Sequence, residues 1–197
     1  MPQSSLKRIA VYCGSAPGTE PRFMRAARAL GHDLAHRGIG VVYGGASVGC
    51  MGALADAALD AGGEVFGVLT QGLADREVAH PRLTQLDIVQ TMHERKARMA
   101  QLSDAVIALP GGYGTFDELF EALTWSQLAI DRKPIGLLDE GDFWHALIAM
   151  LDHAVDAGFI HAVNRRRITH ATALPTLLDA FQSSQFADDE PASAVRP

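Results

Sequence analysis

A three-layer α/β fold, a central parallel sheet flanked by helices on both faces, is what this chain predicts. Two observations carry that prediction. Short apolar runs of strand type alternate from end to end with stretches whose apolar residues recur at helical spacing, which implies right-handed βαβ units. Glycine-rich turns also follow three of the apolar runs, where a parallel α/β sheet turns from strand into helix. In order, Ile9–Cys13 reads as strand and Arg22–Arg37 as helix, then Val41–Tyr43 as strand and Met51–Ala61 as helix. Val65–Leu69 is a strand, followed by a loop around Thr70–Arg82 and a short strand near Asp87–Gln90. A helix from about Met92 to Leu102 leads to the run Ala105–Leu109, a glycine turn and a helical pattern over Leu119–Leu128. Pro134–Leu138 is a strand and Phe143–Ala157 a helix. Residues 1–182 read as one domain, and 183–197, polar and without periodicity, as a disordered tail.

Composition narrows the partners. With 197 residues, 48% of them hydrophobic and 20% charged, the chain is long enough to bury a full core without staples. A net charge of −6 argues against a nucleic-acid polymer as the main partner, since that needs a basic face. A small anion remains admissible, because one turn can bind it locally. No apolar run reaches membrane-spanning length and the first residues lack a signal-peptide layout, so a cytoplasmic protein without a membrane partner is expected. Cys13 and Cys50 lie beside glycine turns without metal-type spacing and read as reduced thiols. His153, His161 and His170 form no ligand pattern, and the Arg165–Arg167 run reads as surface charge.

The glycine turns carry the chemistry. They are Cys13-Gly14-Ser15, the stretch Gly44-Gly45-Ala46-Ser47-Val48-Gly49-Cys50-Met51-Gly52, and Pro110-Gly111-Gly112-Tyr113-Gly114-Thr115-Phe116-Asp117-Glu118. A single turn of this kind only reverses the chain. Three in one sheet would line a pocket floor with backbone N–H groups, which suits a phosphate. The first two lack the G-x-G-x-x-G spacing, nothing matches the P-loop, and Glu64 starts its strand rather than ending it, which argues against a nicotinamide enzyme or an NTPase.

Glu118 admits two readings. Thr115-Phe116-Asp117-Glu118 fits the capping box T-x-x-E, in which the glutamate merely closes a helix start. The same carboxylate beside a phosphate site could instead act on the sugar. Spacing alone weighs the two equally, and the adjacent phosphate site tips the balance towards catalysis. Within His93–Met99, Met92, Lys96 and Met99 share one helical face and Arg95, Arg98 and Leu102 another. Arg95, near the carboxyl edge of the sheet, could pair with a carboxylate or phosphate, although by itself the segment favours the simpler account, a solvated charged face with internal Glu–Arg pairs.

Together, P-G-G-x-G-T-x-x-E, the preceding M-H-E-R-K-A-R-M and the following L-T-W-x-Q-L resemble the LONELY GUY family, cytokinin riboside 5′-monophosphate phosphoribohydrolases that are often mislabelled lysine decarboxylases. The resemblance runs from Ile9–Ser15 through Gly44-Gly45 and Arg76-Glu77 to Lys133–Leu138. It implies a Rossmann-like homodimer that splits the N-glycosidic bond of an N6-modified AMP, needing neither metal nor cofactor. Arg95 and Glu118 take the catalytic places. Gly111, Gly112, Gly114 and Thr115 take the phosphate-binding places, with Tyr113, Phe116 and Asp117 inside the same motif. Glu77, Lys96 and Thr124 match further positions at the nucleotide, and Ser15, Gly44 and Gly45 belong to the turns that complete the pocket. The rival readings are a pyridoxal phosphate decarboxylase, for which Lys96 is the single lysine not at a strand start, and a nucleotide-binding sensor without catalysis.

Overall fold

The computed structural model describes residues 6–74 and 79–184. Seven parallel strands form one sheet in the order β4-β3-β2-β1-β5-β6-β7. They are β1 (Arg8–Tyr12), β2 (Gly40–Tyr43), β3 (Val65–Thr70), β4 (Gln85–Val89), β5 (Ala105–Ala108), β6 (Ile135–Leu138) and β7 (Ile168–Ala171). The helices are α1 (Pro21–His36), α2 (Gly49–Asp60), α3 (Gln71–Ala74), α4 (Met92–Leu102), α5 (Tyr113–Gln127), α6 (His145–Asp156), α7 (Ala162–Arg165) and α8 (Leu174–Ser184).

The period of two along each strand builds the three layers. In β1, Ile9 and Val11 join the core shared with α1, α2 and α8, whereas Ala10 and Tyr12 join the core shared with α4, α5 and α6. Central strands covered on both faces are therefore buried at nearly every position, which is why they read as unbroken apolar runs. β4, at the edge, is the one that is half exposed. Helix α1 opens at Pro21 and buries Ala27, Leu30, Gly31 and Leu34, an i, i+3, i+4, i+7 face.

Several boundaries differ from the sequence reading. The expected loop over 70–82 begins with the single turn α3, too short to show periodicity. β7 and α8 continue the alternation after α6, and α8 carries Ser183 and Ser184, two residues beyond the expected domain limit at 182. Residues 185–197 of the expected tail lie outside the described residues.

The T-x-x-E cap is found elsewhere. Helix α5 starts at Tyr113 with Gly112 as its N-cap and no side-chain cap bond, so Thr115 is already inside the helix and cannot cap it. A capping box is present at α4, where Thr91 Oγ1 accepts from Glu94 N at 3.1 Å and Glu94 Oε2 accepts from Thr91 N at 3.2 Å. Thr91→Ala should lower stability by about 1 kcal/mol, read as a reduced denaturation midpoint at constant slope.

Candidate active site

The chain runs outward from β1 to β4 and then returns to lay β5 beside β1, which makes β1/β5 the topological switch point. A crevice forms outside the carboxyl ends of strands at such a point. Here it is a cleft of about 230 Å³, and its walls include Cys13, Gly14 and Ser15 after β1, Gly44 after β2, and Gly112–Thr115 with Glu118 after β5.

Backbone hydrogen bonds lock the turns to one another. Gly14 N donates to Pro110 O at 3.3 Å, and Met51 N donates to Gly14 O at 3.2 Å. Gly111 must be glycine, because a Cβ there would meet Thr115 Oγ1 at 2.1 Å and Gly14 N at 2.9 Å. The N-terminus of α5, whose first N–H groups no side chain caps, opens into this cleft. An uncapped helix start with its positive dipole end is suited to an anion.

Arg95 and Glu118 meet in the same cleft. Arg95 Nη1 donates to Glu118 Oε1 at 2.7 Å, and Arg95 Nε donates to Val68 O at 2.9 Å. Only 8% of the arginine side chain and 9% of the glutamate side chain are exposed. Burial pushes the Glu118 carboxyl above its ordinary value of 4.5, and the Arg95 charge pulls it only part of the way back. The solvated charged face expected as the simpler account of His93–Met99 therefore does not hold for Arg95, which points inwards. Cys13 is no rival nucleophile: burial pushes its thiol well up, so it lacks the thiolate that attack requires.

The other sequence-predicted residues divide by helical face. Tyr113, Gly114, Thr115 and Glu118 line the cleft, whereas Phe116 turns towards Phe143 and Trp144. Asp117 bonds Lys96 Nζ at 3.0 Å, and Lys96 also reaches Glu121 at 2.9 Å. Burial alone would lower the Lys96 ammonium, but its bonds to Glu121 and Asp117 hold it above its usual value. Lys96 thus stands behind Glu118, in a small cavity shared with Tyr12, Trp125, Asp131 and Lys133, and not in the cleft. Gly45 borders Leu69, and its carbonyl accepts from His80 N at 3.0 Å. Thr124 lies further along α5, on a separate cavity with Phe120 and Ile160. Arg76 and Glu77 lie outside the described residues. Met51, Leu73 and Met92 also line the cleft without having been singled out. Their apolar side chains carried no signal beyond the core pattern.

Gly44 tests whether this geometry matters. A Cβ there would come within 2.2 Å of Arg95 Nη2 and 2.4 Å of Met51 Cε, both ends of flexible side chains. Gly44→Ala should therefore fold, at an overpacking cost of about 1–3 kcal/mol. Displacing Arg95 by an ångström should lower turnover by up to about 100-fold, measurable as kcat beside a melting curve.

Fold and site together define a Rossmann-like α/β protein whose cleft joins an uncapped helix start to a buried arginine–glutamate pair. Residues 51–181 match the family model described as possible lysine decarboxylase. A cytokinin riboside 5′-monophosphate phosphoribohydrolase of Arabidopsis thaliana is 46% identical over 180 residues, 91% of this chain and 84% of the relative. Its counterpart in Rhodococcoides fascians is 46% identical over 178 residues, 90% of each chain. The chain belongs to this family of cytokinin riboside 5′-monophosphate phosphoribohydrolases, the LONELY GUY family. A molybdenum cofactor binding protein from Rippkaea orientalis shares the fold, with a TM-score of 0.67 at 22% identity over 91% of this chain and 98% of that one.

Proposed function

We propose that this protein hydrolyses the N-glycosidic bond of an N6-modified AMP, and of AMP itself, to free base and ribose 5-phosphate. The observation that carries this reading is the buried Arg95–Glu118 pair, at 2.7 Å, opening onto a cleft whose other wall is an uncapped helix start. The names of the relatives support it: the proteins from Arabidopsis thaliana and Rhodococcoides fascians are phosphoribohydrolases of a nucleoside 5′-monophosphate.

Glycosidic cleavage passes through an oxocarbenium-like sugar, which a nearby carboxylate stabilises. The substrate phosphate sits on the α5 N-terminus and the Gly111–Thr115 turn, with Ser15 and Gly44 completing the cradle. That anchor brings the anomeric carbon over Glu118. The carboxylate faces the developing positive charge or takes the proton from the attacking water, whose oxygen bonds the anomeric carbon as the C–N bond breaks; the base leaves with that electron pair and takes up the proton, which restores the carboxylate. Arg95 holds the carboxylate ionised and in place. A purely binding protein gains nothing from a buried carboxylate near a phosphate, which repels it. A pyridoxal phosphate decarboxylase would need a lysine at the site for its Schiff base. Lys96 is engaged with Asp117 and Glu121, while Lys7 and Lys133 precede β1 and β6 at the opposite edge.

The test is to incubate purified protein with AMP, isopentenyl-AMP and the matching nucleosides, and to quantify free base by chromatography. Base should come from the monophosphates. Because the phosphate grip positions the sugar, its removal should depress kcat as well as affinity. Equal turnover of nucleoside and nucleotide at saturation would sink the anchoring role, and no release from any of them would sink the activity.

A cytoplasmic homodimer is part of the same reading. No described helix is long and apolar enough to cross a membrane. Phe120, Thr124 and Leu128 recur every four residues at α5, and both apolar side chains are exposed. A second copy packed there would cover Thr124, and light scattering of the eluting protein reads the mass directly. Glu77 remains assigned to the nucleotide site through the family motif.

A further inference from the structure

Asp139, His145 and His170 are separated by up to thirty-one residues in sequence, yet their ligand-capable atoms all lie within 4.8 Å of one another. They stand at the carboxyl ends of β6 and β7, with His145 the first residue of α6. We propose that these three side chains form a site for a divalent transition-metal ion of zinc type, tying the last two strands of the sheet to α6.

The donor set fits such an ion. Two imidazoles and one carboxylate are the borderline nitrogen and oxygen ligands that zinc and its first-row neighbours prefer over calcium or magnesium. Tetrahedral zinc bonds of about 2.0–2.1 Å keep its ligand atoms roughly 3.3 Å apart, so the present spacing needs only small side-chain adjustments. His145 is exposed and can make them, because 62% of its side chain meets solvent.

The carboxylate is built in rather than adventitious. The Asp139 side chain is 1% exposed, and among the described residues its ion-pair partner is His170, with no lysine or arginine against it. A buried carboxylate is costly unless paired or bound to a metal. Its second oxygen accepts from Trp144 N at 3.3 Å, and the fully buried Trp144 ring anchors that corner by donating from Nε1 to Leu138 O. Such outer contacts orient a metal ligand. His170 Nε2 lies 2.8 Å from Asp139 Oδ2, and its ring is 5.8 Å from that of His145. Three protein ligands leave coordination positions to water, and none of the three residues lines the Arg95–Glu118 cleft.

Untagged full-length protein, stripped with a chelator, is titrated with zinc chloride in a calorimeter. One equivalent should bind at micromolar concentration and raise the melting temperature. His145→Ala, at an exposed position, should melt like wild type without metal and lose at least about tenfold in affinity, the size of effect that even changes in outer contacts bring. His170→Asn should do the same. His32→Ala/His36→Ala removes the other close histidine pair, on α1, and should bind zinc as wild type does. Absence of binding, binding that survives His145→Ala, or binding lost with the α1 pair would overturn the site.

Discussion

Glu118→Gln should abolish most of the hydrolysis while leaving the protein folded. The amide oxygen can still accept from Arg95 Nη1, so the local geometry, set by a 2.7 Å bond, survives. What is lost is the negative charge that faces the sugar and can take a proton. General-base assistance contributes about 10²–10⁴-fold, and the loss should fall on kcat because charge at the sugar develops only in the transition state. KM, set largely by the phosphate cradle, should change little. Stability should fall by no more than about 3–5 kcal/mol, the range for breaking a buried ion pair, since a neutral acceptor remains. Turnover within tenfold of wild type would remove Glu118 from the chemistry. With Thr115 inside α5 rather than capping it, a lost helix cap is no longer an available explanation for a dead variant.

The same residue sets opposing pH trends. Burial raises the Glu118 carboxyl above 4.5, so its folded form binds a proton more tightly than its unfolded form. Its contribution to stability is then fullest below 4.5 and is lost as pH rises through the raised value. Activity needs the carboxylate and should rise over that window. The acid limb of kcat/KM should therefore lie above the usual glutamate range, and Glu118→Gln should flatten the matching part of the stability curve. An acid limb at the ordinary value would mean that Arg95 offsets burial completely.

Legibility in the sequence followed the physics of each element. Strands buried on both faces announced themselves as apolar runs, and β1, β2 and β5 proved to be neighbours, as a shared pocket floor requires. The inward turn of Arg95 was not legible, because His93–Met99 is polar enough to pass for a solvated face. The two T-x-x-E patterns, Thr91–Glu94 and Thr115–Glu118, look alike on paper. They differ because Gly111 and Gly112 let α5 begin at Tyr113, which moves Thr115 past the capping position, whereas Thr91 ends an extended segment. Phe116, Asp117 and Thr124 fell within a recognised motif yet lie away from the cleft, since a helix turns adjacent residues to different sides. Asp139, His145 and His170 could not be seen together at all, because the register of β6 against β7 and the placement of the α6 start bring them into reach.

Replacing Arg95 separates folding from catalysis most sharply. Arg95→Met leaves Glu118 buried without its counter-charge, and removal of one partner from a buried pair costs about 3–5 kcal/mol. It also leaves Val68 O without the 2.9 Å bond from Arg95 Nε, a further cost of about 1–3 kcal/mol. Methionine fills irregular space well, so Arg95→Met/Glu118→Met removes both charges with little change in volume. The double variant should regain most of what the single one loses, leaving mainly the Val68 deficit, because the desolvation of two ions disappears with them. The interaction energy from the four denaturation curves should then fall at the upper end of the roughly 0.5–3 kcal/mol seen for coupled neighbours, or beyond it. Activity should not return. A double variant as stable as wild type and inactive on isopentenyl-AMP would mean that the pair is kept for chemistry at a cost in stability. A double variant less stable than Arg95→Met would mean that the fold itself depends on the ion pair.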